Sequence, residues 1–263
     1  MNDFSPIPVV IPCGGMGTRI REASDRLPKP LIEVGGRPIL WHIMKIYESH
    51  GFRRFVLPLG YKGELVKDFF LNYRQRTAKS MTVGLTSEEG PTFHDVEVED
   101  WEVTLVDTGL ETGTGGRLGM IAEHLDADHF LLTYGDGVAD IDLTALMETH
   151  RGHDRLATVT GVRPTSRFGE LKVDGHKVES FDEKPALDAG LINGGFFAFD
   201  RAFLDYVTPD SGMLETDPLP KAVANGQLAM YHHEGFWQSM DTYREYVALN
   251  AMWDEGIAPW KRW

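Results

Sequence analysis

The chain has 263 residues, 26 Lys+Arg against 40 Asp+Glu for a net charge of −14, and 42% hydrophobic residues. That length suits one large α/β domain or two small ones, and the apolar content supports a packed core rather than disorder. The acidic balance excludes a non-specific nucleic-acid binder, the single cysteine (Cys13) excludes an internal disulfide or a cysteine-based zinc site, and no apolar run is long enough to span a membrane.

Ile7 to Ile11 reads as a first buried strand. It breaks into Pro12-Cys13, then the turn Gly14-Gly15-Met16-Gly17, then Thr18-Arg19. Glycines let backbone N–H groups approach phosphate oxygens, and Arg19 adds a planar cationic fork. Glycine-rich turns are common, however. The third glycine of the dinucleotide fingerprint is replaced by Ile20, and no Gly-Lys-Ser/Thr follows. What points to polyphosphate is the turn combined with Arg19 and with Lys29 in Pro28-Lys29-Pro30. In an acidic chain an anionic ligand needs its few cations gathered in one place, which singles out Arg19, Lys29, Arg117 and Lys184.

Pro38 opens a predicted helix running to about His50, with Ile39, Leu40, Ile43, Met44, Ile46 and Tyr47 at helical spacing and Gly51 at its end. Arg54 to Leu59 is a predicted strand, and Leu65 to Tyr73 lines one face of a helix. This β-α-β-α order implies a parallel sheet wrapped by helices. Met81 to Leu85 is expected as a third strand, Ser87 to Asp100 as irregular or a hairpin arm, and Trp101 to Val106 as a strand. Asp107 to Gly116 is expected as a loop, Arg117 to Leu125 as a helix and Phe130 to Thr133 as a core strand.

That strand runs into Tyr134-Gly135-Asp136-Gly137, at the kind of strand end where open α/β sheets bind ligands. Leu143 to His150 is a predicted helix and Leu156 to Val162 a strand, and Asp174-Gly175 is the strongest hairpin signal. A strand over Gly194 to Phe199, helices from Arg201 and from Pro218, a strand over Gln227 to His232 and a last helix over Asp241 to Asp254 complete the chain. With no repeat or linker, one domain is expected, with a nucleotide half of about 1–140 and a later substrate half of about 141–263.

Asp136 and Asp241 each follow an apolar-to-turn junction. Two such carboxylates and a triphosphate would satisfy magnesium, but Asp241 reads first as a helix N-cap and Asp136 equally as a turn residue. Asp140 and Asp142 lack calcium-loop spacing and read as a loop residue and a cap. Glu183-Lys184-Pro185 closes the hairpin, either as a phosphate and hydroxyl partner or as a solvated edge. Asn193-Gly194-Gly195 is a turn that aims an amide into a cleft or simply enters a strand. The ten histidines form no metal motif, and no Gly-x-Ser-x-Gly elbow supports covalent hydrolysis.

The segments Gly14 to Arg19, Lys29-Pro30, Gly36 to Lys45, Thr114 to Arg117, Thr133 to Asp140, Glu183 to Pro185, Asn193 to Phe197 and Met240-Asp241-Thr242 follow one another as they do in a known family. The chain resembles the sugar-1-phosphate nucleotidyltransferases, and within them the branch that joins the cytidylyl group of CTP to glucose 1-phosphate. The resemblance implies a Rossmann-like core with a mixed, mostly parallel sheet flanked by helices, of the nucleotide-diphospho-sugar transferase type. It implies that Arg19 and Lys29 are catalytic. Pro12, Cys13, Gly14, Gly15, Met16, Gly17, Thr18, Thr114, Gly115, Gly116, Arg117 and Gly135 would border the nucleotide. Tyr134, Gly169, Glu183, Lys184 and Asn193 would hold the sugar phosphate, and Asp136 and Asp241 would hold Mg2+.

The chain departs from the family at Pro12-Cys13, at Leu27-Pro28 where a first Lys-Pro is usual, and at Glu111-Thr112-Gly113. These positions leave the base open, with UTP, dTTP or another phosphorylated sugar or polyol as alternatives and a non-catalytic binding protein as the different class. A cytoplasmic enzyme without nucleic-acid or membrane partners, assembled as a homo-oligomer, is the expectation. Trp253, Trp260 and Trp263 would pack on a neighbour or on their own domain.

Overall fold

The computed structural model describes residues 4–15, 27–86, 90–164, 170–174, 177–182 and 190–263. Among them, seven strands build the central sheet: β1 (Pro8–Val10), β2 (Arg54–Leu59), β3 (Glu102–Asp107), β4 (His129–Thr133), β5 (Ala157–Val162), β6 (Ile192–Asp200) and β7 (Leu228–His233). Their spatial order is β7-β5-β6-β4-β1-β2-β3. Every neighbouring pair is parallel except the two that β6 makes with β5 and β4.

Strands buried on both faces explain the unbroken apolar runs of the sequence. Val9 and Ile11 point to one core and Val10 to the other, and Phe55 and Leu57 alternate with Val56 in the same way. The first core is covered by α1 (Ile39–Ser49), α2 (Gly63–Leu71), α5 (Leu143–Arg151) and α7 (Tyr243–Asp254). The second packs under α4 (Thr114–Met120), the 3-10 turn Arg201–Tyr206 and α6 (Pro218–Ala224). The short helix α3 (Tyr73–Thr77) has no fully buried residue and rests on the first core through Tyr73. Truncating a fully buried strand residue such as Leu131 to alanine would cost about 2–5 kcal/mol.

The helix ends follow local chemistry. His50 caps α1, and Gly51 takes φ +94° just beyond it. Asp142 caps α5 by accepting from Ala145 N at 3.0 Å, as its position predicted.

Two expectations give way. The segment around Met81 is not a sheet strand: Ala78–Thr82 pairs only with Thr92–Val96, in a separate ribbon whose Met81 is exposed. Thr114 to Gly116 are not loop but the first turn of α4, because glycine there serves close packing. A Cβ on Gly115 would meet Gly212 O at 2.8 Å, and one on Gly116 would meet Pro209 O at 2.7 Å. The hairpin predicted at Asp174-Gly175 is present as Glu170–Asp174 paired with Lys177–Asp182, Gly175 itself lying outside the described residues. The C-terminal tryptophans pack on their own domain, Trp253 and Trp260 edge-on to His42 and Trp263 edge-on to Trp41.

Candidate active site

Strand β1 lies between β2 and β4, so the chain builds outward on one side and then returns to start the other. At such a switch point the loops leaving adjacent strands diverge and open a crevice at their carboxyl ends. Here the loop after β1 brings Pro12, Gly14 and Gly15, and the loop after β4 brings Tyr134, Gly135 and Asp136. The cleft measures about 290 Å³ and is completed by Lys29, Pro30, Thr114, Arg117, Met213 and Glu215.

Lys29 begins a 3-10 turn between two buried prolines, which fix the backbone on either side of it. Its Nζ donates to Asp136 Oδ2 at 2.6 Å and to Asp241 Oδ1 at 2.6 Å. Burial alone would lower the pKa of this ammonium. The two carboxylates more than reverse that, and it stands above the ordinary lysine value.

The aspartates, 105 residues apart by number (241 − 136), are brought together by a short ribbon in which Gly137–Ala139 pairs with Trp237–Ser239. Met240 N then donates to Asp136 O at 2.8 Å, so both carboxylates leave the same ribbon end. Asp241 is not the N-cap of α7. Thr242 takes that role in a capping box with Glu245, whose carboxylate also accepts from Asp241 N at 2.8 Å. This leaves the Asp241 side chain directed at Lys29. An ammonium held between two carboxylate oxygens is a cation in a cradle of hard donors, and a donor set of that kind fits Mg2+.

Arg117 serves a different end. It is 4% exposed, and its guanidinium donates to Leu59 O (2.8 Å), Thr108 Oγ1 (2.5 Å) and Leu110 O (3.3 Å). Gly14 lies against it so closely that a Cβ would fall 2.2 Å from Arg117 Cζ. Desolvation lowers the pKa of this guanidinium. Arg117 borders the cleft but spends its donors on the loops that shape it.

Gly115 and Gly116 both give their N–H groups to Gly212 O, at 2.9 and 3.3 Å, rather than to the cleft. Cys13 is buried below the turn, with its thiol donating to Ile11 O at 3.3 Å and its pKa pushed up to about 12 by desolvation. Glu111 is exposed.

On the opposite wall Tyr134 donates its hydroxyl to Glu215, which also accepts from Thr114 Oγ1 at 3.2 Å. Asn193 Nδ2 donates to Tyr134 Oη at 3.2 Å, while Asn193 Oδ1 accepts from Gly195 N at 2.8 Å. Gly195 sits at φ +77°, where a Cβ would strike the Tyr134 ring at 2.6 Å. Burial and the neighbouring Glu215 raise the Tyr134 pKa, so the phenol keeps its proton.

The structure thus brings Lys29, Asp136, Asp241, Tyr134, Asn193, Thr114, Gly14 and Gly15 to one crevice. Met16, Gly17, Thr18, Arg19, Gly169, Glu183 and Lys184 lie outside the described residues. The residue that sequence reasoning passed over is Glu215. It stands in a turn before α6, where no local sequence signal marks it.

Comparison with known proteins shows the family. The chain matches the family described as Nucleotidyl transferase over residues 8–254. It is 45% identical over 255 residues to the glucose-1-phosphate cytidylyltransferase of Salmonella typhi, covering 97% of this chain and 98% of that protein. The enzyme of the same name from Salmonella typhimurium is also 45% identical over 255 residues, with 97% and 98% of the two chains covered. Among solved structures, HddC from Yersinia pseudotuberculosis superimposes with a TM-score of 0.70 at 23% identity, covering 94% of this chain and 99% of that one, which speaks for the fold alone.

Proposed function

The chain belongs to the nucleotidyl transferase family, and on that premise we propose that it transfers the cytidylyl group of CTP to glucose 1-phosphate, releasing pyrophosphate and CDP-glucose. The observation that carries the site assignment is the placement of the Lys29 ammonium between Asp136 and Asp241 at the mouth of the switch-point crevice. CTP and glucose 1-phosphate come from the relatives' names and from their identity over nearly the whole length.

The reaction is an in-line displacement at the α-phosphorus. A phosphate oxygen of the sugar phosphate forms the new P–O bond, and the bond to the departing pyrophosphate breaks. That oxygen is already anionic at neutral pH, so no general base is needed. The protein must hold two anions together and offset the charge that moves onto the leaving group.

In this reading Asp136 and Asp241 hold Mg2+, which when bound supplies positive charge to phosphate oxygens. Lys29 has two possible sets of partners, the aspartates and an incoming phosphate. Exchanging one for the other keeps its charge matched throughout. Gly14 and Gly15 present backbone close to the phosphates, with Arg19 as the second cation. Tyr134, held by Glu215 and Asn193, offers an ordered polar rim to sugar hydroxyls, with Gly169, Glu183 and Lys184 as further sugar-phosphate contacts. Residues of the first half, to about 140, take the nucleotide and those of the second half the sugar phosphate, in a protein that works as a homo-oligomer.

The test is pyrophosphate release with magnesium, each nucleoside triphosphate and a panel of sugar and polyol phosphates. Release with CTP and glucose 1-phosphate well above every other pair is expected. Release only with another pair would move the specificity, and binding without release from any pair would overturn the catalytic reading.

A further inference from the structure

At the end of the sheet remote from the cleft, three side chains that could ligate a metal converge. His129 is the first residue of β4, and Asp200 is the last of β6 and its direct cross-strand partner, so both side chains leave the same face. His150 reaches them from the last turn of α5. The distance from Asp200 Oδ1 is 2.8 Å to His129 Nδ1 and 3.4 Å to His150 Nε2, and the three ligand atoms lie within 4.8 Å of one another.

We propose that His129, His150 and Asp200 form a binding site for one divalent transition-metal ion of the zinc class, tying α5 to β4 and β6 apart from the nucleotide cleft. The donor chemistry is the first reason. Two imidazole nitrogens and one carboxylate suit zinc and its first-row neighbours, whereas magnesium prefers oxygen donors.

The second reason is that both nitrogens are turned to the same Asp200 carboxylate oxygen, at ion-pair distance. The His150 side chain is 1% exposed, yet its Nε2 and His129 Nδ1 are buried without a hydrogen-bond partner. Both lie close to the same oxygen, so a single ion set among the three atoms would take over their ion pairs. Buried polar atoms left unsatisfied call for such a partner.

A third reason is the support around the ring. His150 Nδ1 is held by Thr158 Oγ1 at 2.9 Å, and His153 Nε2 meets the same hydroxyl at 2.9 Å. An outer hydrogen bond of this kind fixes a ligating imidazole in orientation and tautomer. Desolvation lowers the pKa of His150 to about 4, so its lone pair is free at neutral pH. The Asp200 side chain is 35% exposed, which gives an ion a way in and leaves its remaining positions to water.

The experiment titrates metal-free, full-length protein with Zn2+ in excess Mg2+, so that Asp136 and Asp241 are not the reporters, and repeats the titration with Co2+ to read ligation from its visible absorption. One equivalent of zinc with micromolar or tighter affinity is expected, together with a rise in Tm of a few degrees. His129→Asn and Asp200→Asn, made on partly exposed side chains and therefore expected to fold, should abolish both. Thr158→Val should weaken binding about tenfold. His150→Ala is informative where circular dichroism shows it folded, and the other two variants carry the test where it is not. Zinc binding should survive Asp136→Asn. The proposal is overturned if no stoichiometric binding occurs, if binding is indifferent to His129 and Asp200, or if it disappears only with Asp136.

Discussion

Lys29 and Arg117 border the same cleft in a protein poor in cations, and they are used in opposite ways. Lys29 is partnered by carboxylates, in a region where two aspartates reach it from a ribbon end and remain about a third exposed. Arg117 is partnered by carbonyls and a hydroxyl, in a region where the turn after β1 is closed against α4. The contrast shows in their protonation: the carboxylates raise the pKa of Lys29, and desolvation lowers that of Arg117. Carboxylate partners can be given up, the aspartates taking a metal ion as the ammonium takes a phosphate, whereas buried carbonyl partners cannot be given up without opening the fold. A cation beside a glycine turn is therefore an anion ligand only where its present partners are replaceable.

The largest effect should come from breaking the exchangeable side. Asp136→Asn or Lys29→Ala is expected to lower kcat by about 10²–10⁴-fold, or about 3–5 kcal/mol in the barrier, with the fold intact and only a modest fall in Tm. Steady-state pyrophosphate release and calorimetry on the same samples check this, and near-normal turnover in either variant would contradict it.

Breaking the fixed side should instead cost stability. Arg117→Ala removes the guanidinium from Thr108 Oγ1 and Leu110 O, while Leu59 O keeps the N–H and hydroxyl of Thr108, and is expected to destabilise the fold by about 1–3 kcal/mol. Gly14→Ala, which drives a methyl into the Arg117 guanidinium, should cost about 1–3 kcal/mol. Urea denaturation measures both. If Arg117→Ala kept its stability and lost only nucleotide affinity, the two cations would be alike after all.

His42 extends the contrast to acid pH. It is fully buried, receives the Trp260 Nε1–H on Nδ1 at 3.3 Å and faces Val34 O with Nε2 at 2.8 Å, so it is held neutral with its pKa lowered to about 4. A base whose folded pKa is depressed binds its proton more readily when unfolded. The stability it contributes is complete above the unfolded value of about 6.5 and is lost as pH falls toward 4, on the order of 3 kcal/mol in all. His42→Gln should flatten the fall between those values in a pH series of denaturation curves. Lys29, with its pKa raised, contributes stability that is fully present below the unfolded lysine value near 10.4 and declines only as pH climbs through the folded one.

The smallest effect concerns Cys13. Its pKa of about 12 keeps it a thiol, and burial keeps reagents out, so iodoacetamide at pH 8 should modify the native chain about a hundredfold more slowly than the urea-unfolded one. Comparable rates would place Cys13 on the cleft surface instead of beneath it.

Most of the sheet was legible because its strands are buried on both faces and read as apolar runs; Arg54–Leu59 matches its predicted limits. The arm Thr92–Val96 falls where a hairpin arm was one of the two expectations, but its partner Ala78–Thr82 was misplaced as a sheet strand because its side chains are mostly exposed and carry no periodicity to locate it. Thr114 to Gly116 looked like a loop because glycine disfavours helix, and only the close approach of residues 209–212 explains why a helix is built there. At the site, Asp136 could be found from its strand end. Asp241 could not be separated from a cap until Thr242 was seen to take that role. Glu215 and the true partners of Arg117 depend on contacts between distant segments, which no local pattern records.

The most direct test of the central claim is the magnesium dependence of pyrophosphate release from CTP and glucose 1-phosphate, measured for the native protein and for Asp241→Asn. A much lower maximal rate and a higher magnesium requirement in the variant, with the fold intact, are predicted. The same rate at the same magnesium concentration would show that the Asp136–Lys29–Asp241 cluster is not where the reaction is carried out.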